Sequence, residues 1–144
     1  MNRLLRRIIL LIFLVFIFNL VWEILHSSLY ISFMLEENYW RTILFASLGD
    51  VLYVSLIFGI VSLNNNGFKW ISILKNRDYW LVAFLGILTA VFVELKAAYL
   101  GKWVYTEAMP TIFGIGISPL LQLAVTASLA LWVAGKINLL ERRR

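Results

Sequence analysis

TILFASLGDVLYVSLIFGIVSL, residues 42–63, carries one charge, Asp50, inside an otherwise apolar run. A helix needs about 20 such residues to cross the hydrocarbon core of a bilayer. Open strands leave their backbone unsatisfied in lipid, and the run is too long for a barrel strand, so the stretch reads as a transmembrane helix. A carboxylate at membrane depth is costly and by default marks a functional site.

Working outward, 8–29 (extending toward Phe33), 79–100 and 117–137 qualify on the same grounds. The chain is 62% hydrophobic with a mean hydropathy of +0.86. A soluble domain of this length needs more polar surface. The expected fold is therefore all-α, one four-helix transmembrane domain over residues 1–144, with no room for a second domain. Absent cysteine excludes disulfides, thiolate catalysis and Cys-ligated metal, and a lone histidine, His26, excludes a His-rich metal site. The basic start, Met1 to Arg7, resembles a signal peptide. No small-residue cleavage pattern follows, and the apolar run continues through Trp22, Glu23 and His26, so it reads as an uncleaved first span.

The net charge of +5 reads as topology rather than nucleic-acid binding, because Lys and Arg flank the apolar runs. Ten fall on one side: Arg3, Arg6, Arg7, Lys69, Lys75, Arg77, Lys136 and Arg142 to Arg144. Arg41 and Lys102 fall on the other, and Lys96 lies within a span. Both termini are expected in the cytoplasm, most simply of a prokaryotic inner membrane. Residues 34–41 read as a polar turn, and Asn64-Asn65-Asn66-Gly67 as a stop. Residues 68–77 suit an interfacial segment. Trp40, Trp70, Trp80 and Trp103 read as belt aromatics.

Glu23, Asp50 and Glu94 each sit in a different span. With a rise of about 1.5 Å per residue, Asp50 lies about 13 Å below Arg41, Glu94 about 12 Å below Lys102, and Glu23 at most about 20 Å below Glu36. All three fall in the outer half. Asn19, Glu23 and His26 share one helix face at i, i+4, i+7, with Trp22 beside them. Ser47, Asp50 and Tyr53 share another. Glu94 shares its face with Ala90, Ala97, Ala98 and Gly101, small residues that admit a close neighbour. Pro119, Gln122 and Thr126 are candidates to face inward from the fourth span. Asn19, Ser47, Gln122 and Thr126 also suit interhelical hydrogen bonding, and Lys96 either snorkels outward or neutralises an acid. Three clustered carboxylates in a low dielectric cannot all carry charge, so a protonated acid beside an ionised one is expected. Glu23 to His26 has the Glu-x-x-His spacing of helical di-metal sites, which use it twice; here it occurs once, and neither metal nor cofactor is expected.

After the third span come Gly101-Lys102-Trp103-Val104-Tyr105, Met109-Pro110, and Gly114-Ile115-Gly116-Ile117-Ser118-Pro119-Leu120-Leu121-Gln122. Gly114, Gly116 and Pro119 allow a bent re-entry, with Pro119 in a first helical turn. Trp103 and Tyr105 alternate and are expected flat at the outer interface, in a loop able to lid the carboxylates.

From Glu94 to Gln122 the chain resembles integral-membrane carotenoid and terpenoid enzymes of the lycopene cyclase-domain and carotenoid hydratase type. In those an intramembrane acid precedes a Gly-x-Trp/Tyr-x-Tyr segment and a Pro-led helix. Leu120-Leu121-Gln122 stands where the cyclase domains carry acidic residues. The resemblance implies proton-initiated chemistry on an isoprenoid.

The leading expectation is an enzyme acting by acid–base chemistry on a lipid-soluble molecule. Glu94 or Asp50 donates the proton, and Glu23, set by Asn19 and His26, serves as base or charge stabiliser. Trp22, Tyr53, Trp103, Tyr105 and Gln122 complete the substrate site. Membrane lipids and a lipid-soluble small molecule are the expected partners, with self-association a further candidate. The alternatives are a proton- or cation-coupled carrier and an accessory subunit of a membrane complex.

Overall fold

The computed structural model describes residues 3–31 and 37–142, with side chains through residue 137. Helix α1 spans Arg3–His26 and ends in a 3₁₀ turn, Ser27–Leu29. Helix α2 spans Tyr39–Asn64, a 3₁₀ turn covers Phe68–Ser72, and α3 spans Asn76–Tyr99. Strands β1 (Thr111–Ile112) and β2 (Ile115–Gly116) form a hairpin, and α4 spans Ile117–Arg142. Four helices are long and apolar enough to cross a membrane. The extension toward Phe33, residues Met34 to Glu36 of the expected polar turn, and Arg143 and Arg144 lie outside the described residues.

The helices outrun the expected spans where the flanks are good helix formers. Helix α1 takes in Arg3, Arg6 and Arg7, and α4 continues to Arg142. Both helix C-termini that feed described loops end in the same way. After α2, Asn66 turns left-handed (φ 54°) and the Gly67 N–H reaches the Ser62 carbonyl at 2.8 Å. After α3, Gly101 does so (φ 59°) and the Lys102 N–H reaches the Ala97 carbonyl at 2.9 Å. Each is a Schellman motif, which satisfies carbonyls that the helix itself leaves open.

The helices pack in the ring α1–α2–α3–α4. The α3–α4 seam is the tightest, because Gly86 lets α3 touch the α4 backbone: a Cβ there would lie 2.7 Å from the Ala124 nitrogen. Ala90 and Ala97 of α3 are buried as their spacing implied, whereas Ala98 and Gly101 are exposed. The middle of the bundle is apolar, built from residues such as Leu11, Val15, Val54, Phe58, Val82, Leu123 and Leu131. Large apolar side chains, Leu56 and Phe92 among them, cover the outside, as a lipid-facing surface requires. The α2–α3 seam is looser.

Within residues 68–77, Phe68, Lys69, Ile73, Lys75 and Arg77 are exposed, and two residues depart from the interfacial expectation. Trp70 and Ile71 are buried beneath α1, α2 and α4. The indole can enter the core because its Nε1–H donates to Ser62 Oγ at 2.8 Å and its ring meets Phe58 edge-on at 6.0 Å. Trp40 and Trp80 are exposed, as belt residues would be.

Candidate functional site

The C-termini of α1 and α3, the N-termini of α2 and α4 and the β-hairpin gather at one end of the bundle. A cavity of about 620 Å³ opens there in the loose α2–α3 seam. Glu23, Asp50 and Glu94 all line it, with His26, Tyr30, Tyr53, Trp103 and Gln122. Its remaining wall is largely apolar or small: Phe45, Ala46, Gly49, Ala90, Val93, Pro119 and Leu123. Arg41 and Lys102 border it.

Two of the acids form a pair around one amide. Gln122 Nε2 donates to Glu23 Oε1 and to Asp50 Oδ2, each at 2.7 Å. An amide nitrogen carries two protons, so the bridge uses both. Asn19 sits behind Gln122, fully buried, with its own Nδ2 donating to the Val15 carbonyl at 2.9 Å. Thr126 Oγ1 lies 3.1 Å from Asn19 Oδ1 and 2.8 Å from the Gln122 carbonyl. Asn19 and Thr126 therefore brace the bridge from the dry side.

Glu23 also meets its helical neighbour. His26 Nε2 lies 3.4 Å from Glu23 Oε2, and His26 Nδ1 lies 2.9 Å from Ser118 Oγ in the first turn of α4. The imidazole thus ties α1 to α4. Glu23 and His26, at their Glu-x-x-His spacing, meet each other directly.

Glu94 is held separately. Tyr105 donates its phenol proton to Glu94 Oε2, and Trp103 Nε1 donates to the same oxygen at 3.3 Å. The 103–105 strand is pinned to the end of α1: the Ile31 N–H reaches the Val104 carbonyl and the Thr106 N–H the Leu29 carbonyl, both at 2.9 Å. In that extended segment alternate side chains share a face. Trp103 and Tyr105 consequently turn inward onto Glu94, in place of lying flat at the interface. Burial first, then the bond to Glu94, pushes the Tyr105 phenol up to about 12. Tyr30, buried among His26, Trp103 and Tyr105, is raised further, by burial and by the negative charge of Glu94.

Instead of a bent re-entry, the hairpin turns at Phe113 and Gly114, both with positive φ (52° and 80°), the pattern of a type I′ turn. It delivers Pro119 into the first turn of α4.

Three expected substrate contacts stand outside the cavity wall. Asn19 faces the α1–α4 seam, and Tyr105 lies behind Glu94. Trp22 meets His26, one helical turn on, edge-on at 6.4 Å, and stands about 100° round the helix from Glu23; its Nε1–H has no hydrogen-bond partner among the described residues. Lys96 is exposed, two residues and about 200° round the helix from Glu94, so it neutralises none of the acids. Tyr30 and Ser118 are among the wall and network residues that escaped the reading of the sequence. Tyr30 continues the series Asn19, Glu23, His26 at i+11, so its spacing was a usable signal. Ser118 carried none. Protein-family models, characterised proteins and solved structures provide no match to this chain, and its site rests on its own geometry.

Proposed function

We propose that the protein is an integral-membrane enzyme that moves protons on and off a lipid-soluble, isoprenoid-like substrate bound in the α2–α3 cavity. The observation that carries this reading is the convergence of Glu23, Asp50 and Glu94 on one largely apolar cavity. Two carboxylates that share one amide in a low dielectric carry a proton between them in place of two charges. Asp50, on the cavity side of that pair, is the donor. Glu23, fixed by Gln122 and His26, is the ionised member of the pair, and the proton that Glu94 later collects returns to Asp50 to close the cycle. Glu94, oriented by the hydrogen bonds from Tyr105 and Trp103, is the base.

In this scheme an alkene of the substrate takes the Asp50 proton and becomes a carbocation. Tyr53 and Trp103 in the cavity wall supply the aromatic rings that stabilise it. Glu94 then removes a proton from a neighbouring carbon, so the net change is isomerisation or cyclisation without redox. The apolar middle of the bundle favours this over a carrier: among the described residues, side chains such as Val54, Phe58 and Leu131 fill the core between the cavity and the other end.

The charge distribution supports placing the hairpin end outside and both termini in the cytoplasm, in a prokaryotic inner membrane. Mass spectrometry of lipids from membranes carrying wild type, Asp50→Asn or Glu94→Gln tests the chemistry. A species made or consumed only by wild type is the expected result. Identical profiles at equal protein levels would overturn it.

A further inference from the structure

Of the Lys and Arg residues in this chain, Arg41 and Lys102 border the cavity. With Lys96, which is exposed on α3 outside the cavity wall, they are the basic residues that do not follow the bias toward the opposite end. Both stand at its mouth: Arg41 opens the third position of α2, and the Gly101 turn sets Lys102 just past α3. Among the described residues neither forms an ion pair; the Arg41 guanidinium lies over the Phe45 ring, 5.7 Å from its centre. The carboxylates lie deeper. Arg41 and Asp50 are nine residues apart on one helix, so about 13 Å.

The cavity is thus polarised, with two cations at the mouth, carboxylates below, and a lateral wall of Ala46, Gly49 and Ala90. Nothing lies within 4 Å of where a Gly49 side chain would start, so the seam has room beside the acids. A ligand that satisfies this pattern has a compact anion joined to an apolar chain. Two cations match a phosphate monoester, which carries about −1.5 to −2 near neutral pH, better than a single carboxylate. The guanidinium fork also fits phosphate oxygens.

We propose that the cavity binds a phosphate-headed amphiphile, its head on Arg41 and Lys102 and its chain running down the α2–α3 seam past Asp50 and Glu94. This deepens the enzyme reading by naming the substrate class, and rests on the same cavity, but requires no proton transfer. An uncharged polyene or a lipophilic cation is the competing occupant.

The test uses the full-length protein in a neutral detergent and three probes with one tail: dodecyl phosphate, dodecanol and dodecyltrimethylammonium. Binding is read from tryptophan fluorescence. Dodecyl phosphate is expected to bind about tenfold or more tighter than dodecanol, the scale of one hydrogen bond to a charged group. Arg41→Gln and Lys102→Gln should each remove about that factor for the phosphate and leave dodecanol unchanged. Lys136→Gln, at the other end of the bundle, should change neither. Equal affinity for phosphate and alcohol in the wild type overturns the proposal whatever the variants do. So does preference for dodecyltrimethylammonium, lost in Asp50→Asn. The two readings fail separately. A phosphate preference with an unchanged lipid profile sinks the chemistry alone, and a changed profile without that preference sinks the headgroup alone.

Discussion

Asp78 and the Glu23–Asp50 pair are acids at opposite ends of one bundle, and their hydrogen-bond partners differ in kind. Asp78, 1% exposed, accepts from the Lys75 backbone N–H at 3.0 Å and from Asn65 Nδ2 at 3.1 Å. It caps α3, and Asn65 in turn accepts from Arg77 at 2.9 Å. Next to it Ser62 links Trp70 to the Phe58 carbonyl, both contacts at 2.8 Å. Every partner there is local backbone or a neighbour closing the α2–α3 connection. Glu23 and Asp50 instead share a side-chain amide from a third helix and face a cavity. A buried acid that completes helix ends is spent on structure. One that shares donors with another acid beside open space retains a proton to exchange.

This contrast makes stability and activity separable by position. The largest expected effect is on activity at the cavity. Glu94→Gln should lower turnover of the lipid species by about 10²- to 10⁴-fold, the usual contribution of a general acid or base. Its thermal midpoint should stay near wild type, because an amide can still accept from Tyr105 and Trp103. A collapse in stability instead would make Glu94 a structural acid like Asp78.

Next in size is Trp70→Ala at the opposite end. Emptying a buried indole site costs about 3–5 kcal/mol, and it should leave turnover per folded molecule unchanged. Denaturation in detergent, scored beside lipid analysis, reads both. Asp78→Asn should cost less, about 1 kcal/mol, as for loss of a helix cap. Lowered activity in that variant at equal folded protein would couple the two ends and undo the comparison.

The smallest effect concerns pH. The Tyr105 phenol, held up at about 12 in the folded protein against an ordinary 10, stays protonated through the physiological range. Between those values the unfolded chain loses the proton first, so stability present below pH 10 falls as pH rises toward 12. Tyr105→Phe should flatten that part of the fall in thermal midpoint. An unchanged slope would mean that another group, Tyr30 foremost, dominates it.

The four spans, their approximate limits and the acid in each of the first three follow from the sequence, because lipid leaves a long apolar run no option but a helix with its backbone satisfied internally. Helical spacing also put Glu23 and His26 on one face of α1, and Ala90 and Ala97 on one buried face of α3. Spacing along one helix says nothing about azimuth relative to another. That is why the bridging role of Gln122, the bond from Ser118 to His26, and the placement of Trp22 and Asn19 outside the cavity wall appear only when the helices pack. Trp70 shows the same limit. Its surroundings read as interfacial, and the burial was decided by a hydroxyl on α2 able to satisfy the indole. The chain dictated which groups lie at membrane depth; tertiary packing, through the close α3–α4 contact at Gly86 and the loose α2–α3 seam, decided which of them face one another across open space.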